Sequence, residues 1–477
     1  MSASPNHAAN QTPRPTVGII GGGLAGLASA CALAEAGYRV TLLERRAFLG
    51  GRASSYEHPG TGEVVDNCQH VLLGCCTNLL DFYHRLGVED KVRWYRRITF
   101  VEPGGRQGTI EPSWLPAPLH SALSFAGFGL LSLRDKAGIA RALLSLMGGV
   151  PPDSEENFLA WLQRKGQTKR AIERFWAPVL ISSLNEDLER SSVKYAGMVF
   201  RDAFLKSARA GEMGVPILPL SELYGVAANY IAARGGQVML RSAVEAIDCR
   251  DDHGDDPVKL RVNGEELAFD YVIAAIPFHR LEPMLPVGAS SEPLREQLRN
   301  LHTVSITGVH LWFDREVTQL EHAALLDRTI QWMFQKSKIL ARGPRDGGSY
   351  LELVISASTK LLAMGRAEII EMAVNELAEF FPVVCQARLQ KATAIKEVHA
   401  TFSPYPGSER FRPRPQTAWP RLFLSGDWTA SGWPSTMEGA VRAGYLSAEA
   451  LSKAAGATQD FLVPDLKAQG LMRLFRP

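Results

Sequence analysis

The first part of the chain alternates short apolar runs with glycine-rich turns. Val17–Ile20 is apolar, a glycine-rich turn follows it, an alanine-rich stretch reaches Ala36, and a second apolar run covers Tyr38–Leu43. Short apolar runs bounded by turn residues are typical of buried strands, and the stretch between them has the length and composition of a helix. The pattern predicts the strand–helix–strand unit of a parallel sheet.

The rest of the chain predicts a helical part followed by strands. Residues from about Glu63 to Tyr230 are mostly helical in pattern, with long apolar spacing over Glu155–Arg190. Beyond them, apolar or alternating runs predict strands, interrupted by a helix near Arg366–Phe380. The predicted strands are Gly236–Asp248, Asp270–Pro277, three alternating runs between Ser305 and Phe402, and Leu422–Ser425, which leads into a loop and a helix of small residues.

Composition narrows the class of protein without identifying it. The 477 residues are 46% hydrophobic and 21% charged, which is typical of a folded chain with more than one core. A net charge of +2 disfavours a nucleic-acid partner. Six cysteines do not make a disulfide framework, and Cys68, Cys75 and Cys76 lack the spacing of metal ligands, so buried thiols and no metal are predicted.

Two segments bear on membranes and termini. The polar N-terminus with its three prolines predicts a disordered tail over 1–15, not a signal peptide or an anchor. Trp114–Leu133 is the segment nearest to a membrane span, but two prolines, two glycines and a histidine interrupt it. The region 114–149 is therefore expected to lie on a membrane surface or, alternatively, to form buried core helices.

A dinucleotide-binding turn follows the first predicted strand. Gly21, Gly23 and Gly26 form a G-x-G-x-x-G, which allows a tight turn, close approach of a pyrophosphate and close packing of the helix on the sheet. Glu44 follows Gly26 by 18 residues, near the spacing of the acidic residue that holds a ribose hydroxyl. The context predicts dinucleotide binding, and an acidic residue at this place disfavours a 2′-phosphate.

Two further segments favour FAD over NAD. The glycine pair of Leu49–Arg52 ends in an arginine, whose planar charged fork suits phosphate oxygens. Near the other end, Gly426-Asp427 follows a predicted strand and precedes a helix that starts near Ser435. Taken alone Asp427 is equally a turn residue, but a carboxylate here can hold a ribityl hydroxyl while the helix start faces the flavin ring.

Together these segments resemble the amine-oxidase and phytoene-desaturase superfamily of FAD enzymes. The stretch 66–74, DNCQHVLLG, is similar to the signature of the hydroxysqualene dehydroxylase family, in which relatives often carry glycine in place of Cys68. Phe175-Trp176-Ala177-Pro178 and Ala400-Thr401-Phe402 are supporting matches. The resemblance implies an α/β fold in which a Rossmann-like FAD-binding domain carries an inserted α+β substrate-binding domain.

The resemblance also implies domain boundaries and site residues. The FAD-binding domain is expected over 16–65, 231–280 and 404–456, the substrate-binding domain over 66–230 and 281–403, and a C-terminal tail over 457–477. Residues implied to bind FAD are Gly21, Gly23, Gly26, Glu44, Arg45, Gly51, Arg52, Val244, Gly426, Asp427, Met437 and Glu438. The resemblance places Asp66, Gln69 and His70 beside the flavin as candidate catalytic residues, with His70 as a general acid oriented by Asp66. Gln69 could instead hydrogen-bond the flavin or its neighbours. The alternative for His70 is a structural histidine.

The activity implied is reductive removal of the hydroxyl group from hydroxysqualene, giving squalene. Large aromatic residues of the inserted domain are expected to be mostly core, with a few lining the path of this apolar isoprenoid. No second G-x-G-x-x-G is present, so an external electron donor is expected. Alternatives are a carotenoid desaturase, an amine or porphyrinogen oxidase, and a non-catalytic prenyl-lipid carrier. The expected location is cytoplasmic and peripheral at the inner face of the cytoplasmic membrane.

Overall fold

The computed structural model describes residues 14–249, 256–340 and 348–475. The tail predicted over 1–15 therefore lies almost wholly outside the described residues. The strands are β1 Thr16–Ile20, β2 Arg39–Glu44, β3 Ser55–His58, β4 Glu63–Asp66, β5 Leu72–Leu73, β6 Val92–Tyr95, β7 Ile98–Val101, β8 Gln107–Ile110, β9 Met213–Pro216, β10 Gln237–Leu240, β11 Val244–Asp248, β12 Val258–Val262, β13 Glu265–Phe269, β14 Tyr271–Ala274, β15 Thr303–Phe313, β16 His322–Leu325, β17 Trp332–Gln335, β18 Ser349–Ile355, β19 Leu389–Phe402 and β20 Leu422–Leu424.

The helices connect these strands and cover the sheets. They are α1 Leu24–Glu35, α2 Thr77–Leu86, α3 Ala122–Gly127, α4 Leu133–Met147, α5 Phe158–Arg164, α6 Lys169–Ala171, α7 Ala177–Leu184, α8 Val193–Met198, α9 Leu220–Gly225, α10 Ala227–Ala232, α11 Phe278–Leu281, α12 Glu292–Arg299, α13 Lys336–Ile339, α14 Arg366–Phe380 and α15 Met437–Ala454. The predicted strand–helix–strand unit is confirmed as β1, α1 and β2.

A five-stranded parallel sheet in the order β10-β2-β1-β14-β20 carries the glycine-rich turn. Successive side chains of a strand point to opposite faces, so its apolar runs bury both faces. Ile19 and its neighbours pack with the helices α1, α2, α10 and α15, while Ile20 packs with the small antiparallel sheet β11-β12-β13. The fold therefore buries this sheet between a helical layer and a second sheet.

Helices α1 and α15 lie near opposite ends of the described chain and pack against each other. A side chain on Gly444 would place its Cβ 2.5 Å from the carbonyl oxygen of Ala25. The Ser29 hydroxyl donates to the Gly444 carbonyl at 3.0 Å, across 415 residues of sequence. The small residues that the sequence shows in α1 and α15 therefore allow the two helix backbones to pack closely.

The segment Gly236–Asp248, predicted as strand material, contains two strands that belong to different sheets. β10 pairs with β2 at the edge of the parallel sheet, whereas β11 pairs with β12. Arg241 lies between them with a φ of 55°, a left-handed conformation that ends the first strand. The strands of the parallel sheet come from the three segments assigned to the FAD-binding domain, and the domain boundaries themselves stay a prediction.

A seven-stranded sheet forms the other large layer, in the order β19-β15-β18-β17-β16-β7-β8. Its three long strands and the helix over Arg366–Phe380 agree with the prediction. One face packs on α14, with Val309 and Leu353 among its buried residues. On the opposite face lie the alternate positions, including His310 and Glu352.

The part predicted as mostly helical also contains strands. Between Glu63 and Tyr230 the structure has β4 to β9, of two to four residues each, which are too short to give a periodic signal. The helices α3 to α8 enclose a core of stacked and edge-on aromatic rings. This core contains Phe128, Phe158, Trp161, Trp176 and Phe200, so most of the large aromatics here are core residues, as expected.

Candidate active site

The glycine-rich turn has the geometry that dinucleotide binding needs. Gly21 has a φ of 103°, and a Cβ at this position would lie 2.6 Å from the carbonyl oxygen of Ala275. A Cβ on Gly26 would lie 2.0 Å from the carbonyl oxygen of Gly21. Gly23 precedes the first residue of α1. Only glycine fits at Gly21 and Gly26, because backbone atoms occupy the space of a side chain.

The start of α1 is free of competing groups. No side chain caps it and no acidic residue lies in its first turn, so its amide groups and dipole can bind an anion. Glu44 lies beside this turn, and its two carboxylate oxygens accept hydrogen bonds from the amides of Gly22 and Arg46, both at 2.7 Å. Glu44 thus fixes the turn, Arg45 is exposed beside it, and their roles toward a ribose stay predictions.

The second predicted segment packs directly on the first. The Gly50 amide donates to the carbonyl of Gly22 at 2.8 Å, and a Cβ on Gly51 would lie 2.9 Å from the Cα of Gly23. Arg52 extends from this loop, and its guanidinium donates to Asp427 at 2.5 Å and to the carbonyl of Ala400 at 2.6 Å. Two loops predicted to bind one diphosphate therefore touch backbone to backbone.

The third predicted segment meets the second at Asp427. This buried carboxylate accepts hydrogen bonds from Arg52 and from the hydroxyl of Ser435, just before α15. Burial alone would raise the pKa of Asp427, but the charge and hydrogen bond of Arg52 lower it below the usual value. Asp427 is therefore ionised at neutral pH, so both of its carboxylate oxygens are hydrogen-bond acceptors.

The remaining predicted cofactor residues lie around these three segments. Val244 begins β11, two residues after the amide of Ser242 donates to the carbonyl of Glu44 at 2.9 Å. Met437 is the first residue of α15, and its sulfur accepts from the hydroxyl of Tyr224. Glu438 has a buried carboxylate that accepts from the backbone amides at the start of α2, so this side chain joins two helices.

These residues fit FAD. The uncapped start of α1 and the two glycine loops lie next to Arg52, which pairs with the ionised Asp427, and both of these charged residues line a crevice together with His279. The buried Nδ1 of His279 has no hydrogen-bond partner among the described residues. When bound, FAD supplies two-electron hydride transfer. The residues that line the crevice are Arg52, Pro277, Phe278, His279, Thr303, His399, Thr401, Phe402, Asp427 and Trp428.

His279 and His399 were missed by the sequence analysis. Their rings lie 4.3 Å apart in the crevice, and burial lowers the pKa of His279 to about 4. His279 comes shortly after β14, at the carboxyl end of a parallel strand. Ligands of open α/β sheets bind at that edge, so the strand predicted over Asp270–Pro277 held the signal.

The 66–70 loop continues directly from the arginine loop. The side-chain amide of Asn67 donates to the carbonyl of Arg52 at 3.3 Å, and its backbone amide donates to Ser54 at 2.8 Å. His70 is half-buried, with Nδ1 2.7 Å from the carbonyl of Cys68. Because a carbonyl only accepts, Nδ1 carries the proton and Nε2 is an acceptor.

Two parts of the predicted role of His70 do not fit this geometry. Burial lowers the pKa of His70, so the ring is neutral at neutral pH and holds no proton to give from Nε2. Asp66 does not orient it, because the Asp66 carboxylate accepts from the Ser55 hydroxyl at 2.5 Å and from the Lys336 ammonium at 2.7 Å. The structure therefore places Asp66 in a different network.

That network is a buried polar cluster under the 66–70 loop. The ammonium of Lys336 donates to Asp66 and Gln69, both at 2.7 Å, and lies 3.3 Å from the carboxylate of Glu352. Burial opposes both charges of the Lys336–Asp66 pair, but their attraction outweighs it, so the pKa of Asp66 is lowered and that of Lys336 is raised. Asp66 and Lys336 are thus an ionised pair.

Lys336 and Glu352 were also missed by the sequence analysis. Glu352 lies within the predicted strand YLELVISA, and Lys336 follows the last residue of β17. A charged residue inside a buried strand is the signal that could have found Glu352, because such a group is rarely buried without a partner. Which elements would supply that partner is a matter of tertiary structure.

Comparisons with known proteins show the family of this chain. Residues 24–452 match the model of the flavin containing amine oxidoreductase family. The chain is 25% identical to 15-cis-phytoene desaturase of Synechococcus elongatus, over 91% of this chain and 95% of the relative. It is 26% identical to zeta-carotene desaturase of Synechocystis, over 91% and 96%.

Solved structures agree on the fold. An oxidoreductase from Methanosarcina mazei superposes with a TM-score of 0.69 at 18% identity, covering 92% of this chain and all of that one. The predicted α/β fold and the predicted cofactor are therefore confirmed. The chain belongs to the flavin-containing amine oxidoreductase family, and its cofactor is FAD.

Proposed function

We propose that this FAD-dependent oxidoreductase acts on a long apolar isoprenoid that it takes from a membrane. The observation that carries the proposal is one surface, here called the docking face, formed by 114–144 and 471–475. Eight of the sixteen exposed large apolar side chains of the described residues lie on these two segments. They are Trp114, Leu119, Leu123, Leu133, Leu144, Leu471, Leu474 and Phe475.

The two segments of the docking face are held together. The Leu471 amide donates to the carbonyl of Ala117 at 2.8 Å, and a Cβ on Gly470 would lie 2.7 Å from the same residue. Met472 is buried in the aromatic core beneath, while Leu133 is 83% exposed. The C-terminal segment thus packs on the predicted patch 114–149 at Ala117 and on the aromatic core beneath it, which supports treating the exposed apolar side chains of both segments as one docking face.

The charge of the docking face fits anionic lipid. Arg134, Arg141 and Arg473 are exposed there, whereas Asp135, which caps α4, is buried. Lys467, just before the C-terminal segment, is also exposed. Each basic side chain near an anionic bilayer contributes roughly 1 kcal/mol, and each fully buried large apolar side chain contributes about 1.5–3 kcal/mol. No helix among the described residues is long and apolar enough to cross a membrane. We therefore propose that the protein lies in the membrane–water interface. The expected location is the inner face of the cytoplasmic membrane.

The first candidate reaction is reductive dehydroxylation of hydroxysqualene. Its support is the 66–74 stretch, which carries the resemblance to that family and also lies directly beside Arg52. The hydroxyl of this substrate is allylic, so loss of water leaves a delocalised cation that a hydride can quench. This candidate reaction consumes reduced cofactor, so it requires an external electron donor.

The second candidate is desaturation of a carotenoid precursor. It is supported by the relatives, whose names are phytoene and zeta-carotene desaturases. A non-catalytic carrier would have no need of the ionised Asp427 and the free start of α1.

One experiment separates the candidates. The purified holoprotein is incubated with hydroxysqualene under reducing conditions, and with phytoene and squalene under oxidising conditions, and the lipids are identified by mass spectrometry. Squalene formed from hydroxysqualene supports the dehydroxylase, and new conjugated double bonds in phytoene support the desaturase. If all three lipids are returned unchanged while a primary amine reduces the flavin, the isoprenoid proposal is wrong.

A further inference from the structure

Glu352 is a fully buried carboxyl group that shares its one close cation with a second carboxylate. It lies on β18, opposite His310 of β15, and its exposure is 0%. Neither of its carboxylate oxygens has a well-aligned hydrogen bond among the described residues. The ammonium of Lys336 lies 3.3 Å from it but donates its well-aligned hydrogen bonds to Asp66 and Gln69. Two buried carboxyl groups therefore share one ammonium.

The charges of this cluster balance only if it holds one proton. Lys336 and Asp66 neutralise each other, so an ionised Glu352 would leave one uncompensated negative charge in the interior. Such a charge is costly, and a buried group avoids it by binding a proton. Burial, opposed by Lys336 and aided by Asp66, raises the pKa of Glu352 to about 7.

The other titratable groups that face Glu352 do not exchange protons near neutral pH. Burial lowers the pKa of His310 to about 3, so its ring is neutral, with Nδ1 2.9 Å from the hydroxyl of Tyr350. Burial raises the pKa of the Cys68 thiol and of Tyr350 well above their usual values. Among the groups facing it from the neighbouring elements, Glu352 is thus the one that both gains and loses a proton at this pH.

The cluster lies against the loop that carries the predicted reacting residues. Asp66 and Gln69 belong both to the cluster and to the 66–70 loop, and Gln69 also donates to the carbonyl of His70 at 2.9 Å. That loop contacts Arg52 of the FAD site through Asn67. A proton held at Glu352 is therefore separated from the reacting side of the loop by a few residues that have fixed hydrogen bonds.

We propose that Glu352 stores the proton that the reaction exchanges, and that Lys336 and Asp66 are its positioning residues. This inference rests on the proposed function, since either candidate reaction moves one proton. His70, with an acceptor at Nε2, can receive that proton only transiently and is not the store.

Each candidate reaction moves one proton, which leaves Glu352 in dehydroxylation and arrives at Glu352 in desaturation. In dehydroxylation the C–O bond breaks with its electron pair on oxygen, the stored proton completes a water molecule, and the carbon receives a hydride from the reduced cofactor. The Glu352 carboxylate is then reprotonated from solvent. In desaturation the substrate loses a hydride to the oxidised cofactor, and the neighbouring C–H bond gives its electron pair to the new double bond and its proton to Glu352.

The test combines infrared spectroscopy with kinetics on the holoprotein. A protonated buried carboxyl group has a distinct C=O stretching band, which should disappear between about pH 6 and about pH 8 in the wild type and be absent from Glu352→Gln. Glu186→Gln is the matched control, because Glu186 is equally buried but accepts hydrogen bonds from Asp187 and Ser403. We expect Glu352→Gln to lower kcat by about 100-fold or more with little change in KM, the range of a lost acid or base.

Two further variants test the positioning residues. Lys336→Met removes the charge that favours ionised Glu352, so the midpoint of the infrared band and of the pH–rate profile should move to higher pH. Asp66→Asn removes a charge that opposes ionisation, so both midpoints should move to lower pH. A structural role of these residues predicts no opposite shifts. Should Lys336→Met not fold, Asp66→Asn alone decides.

The outcomes separate this inference from the proposed function. If the band persists in Glu352→Gln, or if that variant keeps its kcat within twofold at every pH while isoprenoid turnover continues, the proton store is wrong and the function stands. If the band titrates in the wild type but no isoprenoid reacts, the proposed function is wrong, and with it the use of this proton in turnover.

Discussion

Replacing Glu352 by glutamine should change how the stability of the protein depends on pH. The amide keeps the shape of the side chain but cannot ionise. The pKa of Glu352 is raised from its ordinary value of 4.5 to about 7 in the folded protein, because burial disfavours the charged form. A group whose pKa is raised on folding stabilises the fold fully below its unfolded pKa, and this contribution is lost as the pH rises through the folded value.

The magnitude follows from the size of the shift. Each pKa unit corresponds to about 1.36 kcal/mol, so a rise from 4.5 to about 7 corresponds to roughly 3 kcal/mol. The free energy of unfolding of the wild type, measured relative to Glu352→Gln, should therefore fall by roughly 3 kcal/mol between about pH 4.5 and about pH 7.5. Above that range the difference should stay constant, since the group is ionised in both states.

Urea unfolding of the wild type, Glu352→Gln and Glu186→Gln at a series of pH values measures this difference. Only the pH dependence of the difference matters, because every other titrating group is shared. Parallel curves for the wild type and Glu352→Gln would refute the reasoning, since Glu352 would then have the same pKa in both states. A loss of stability as the pH falls, instead of as it rises, would mean that the pKa of Glu352 is lowered on folding. The attraction of Lys336 would then outweigh the effect of burial.

Three other predictions concern the cofactor and the docking face. Gly26→Ala should abolish FAD binding, because its Cβ would lie 2.0 Å from the carbonyl oxygen of Gly21; the flavin absorbance per protein measures it. Leu133→Asp with Leu474→Asp should weaken binding to phosphatidylglycerol vesicles by roughly 100-fold or more in flotation, since two exposed apolar side chains leave the interface. Arg134→Gln with Arg141→Gln should weaken binding to the same vesicles by roughly 30-fold and leave binding to phosphatidylcholine vesicles unchanged.

Two of these predictions have a control variant in the chain, and phosphatidylcholine vesicles are the control for the third. Gly225→Ala should keep FAD, because no atom lies within 4 Å of its Cβ position. Val287→Asp should keep vesicle binding, because Val287 is 99% exposed but lies outside the docking face. Full FAD content in Gly26→Ala would contradict the role given to the glycine turn. Equal flotation of the Leu133→Asp, Leu474→Asp double variant and of Val287→Asp would contradict the docking face.

The elements that sequence predicted well are those with long or strongly biased patterns. The glycine turn, α1 and α14 agree with the prediction because glycine spacing and apolar periodicity are local signals. The two strands within Gly236–Asp248 were merged, since the break between them is a left-handed residue of ordinary type, Arg241. The three cofactor segments were found from motifs, and the structure brings them together through the contacts of Gly50 with Gly22 and of Arg52 with Asp427.

The part of the site that sequence did not predict depends on partners from distant strands. Lys336 is 270 residues from Asp66, and no local pattern announces that their side chains meet. The same lack of information explains the wrong partner given to Asp66, for which only residues of its own segment, such as His70, were considered. The pairing of β15 with β18 is needed to show that the Glu352 carboxyl group is buried, and this pairing cannot be predicted from local sequence.

The contact between Gly444 and α1 has a consequence for biosynthesis. Ala25 and Ser29 leave the ribosome early, but their partner in α15 follows 415 residues after Ser29. At a translation rate of about 5–20 residues per second, the nascent first helix waits on the order of 20–80 s for the surface that covers it. Chaperones that shield apolar helices during synthesis should therefore have more effect on the yield of this protein than on its stability once made.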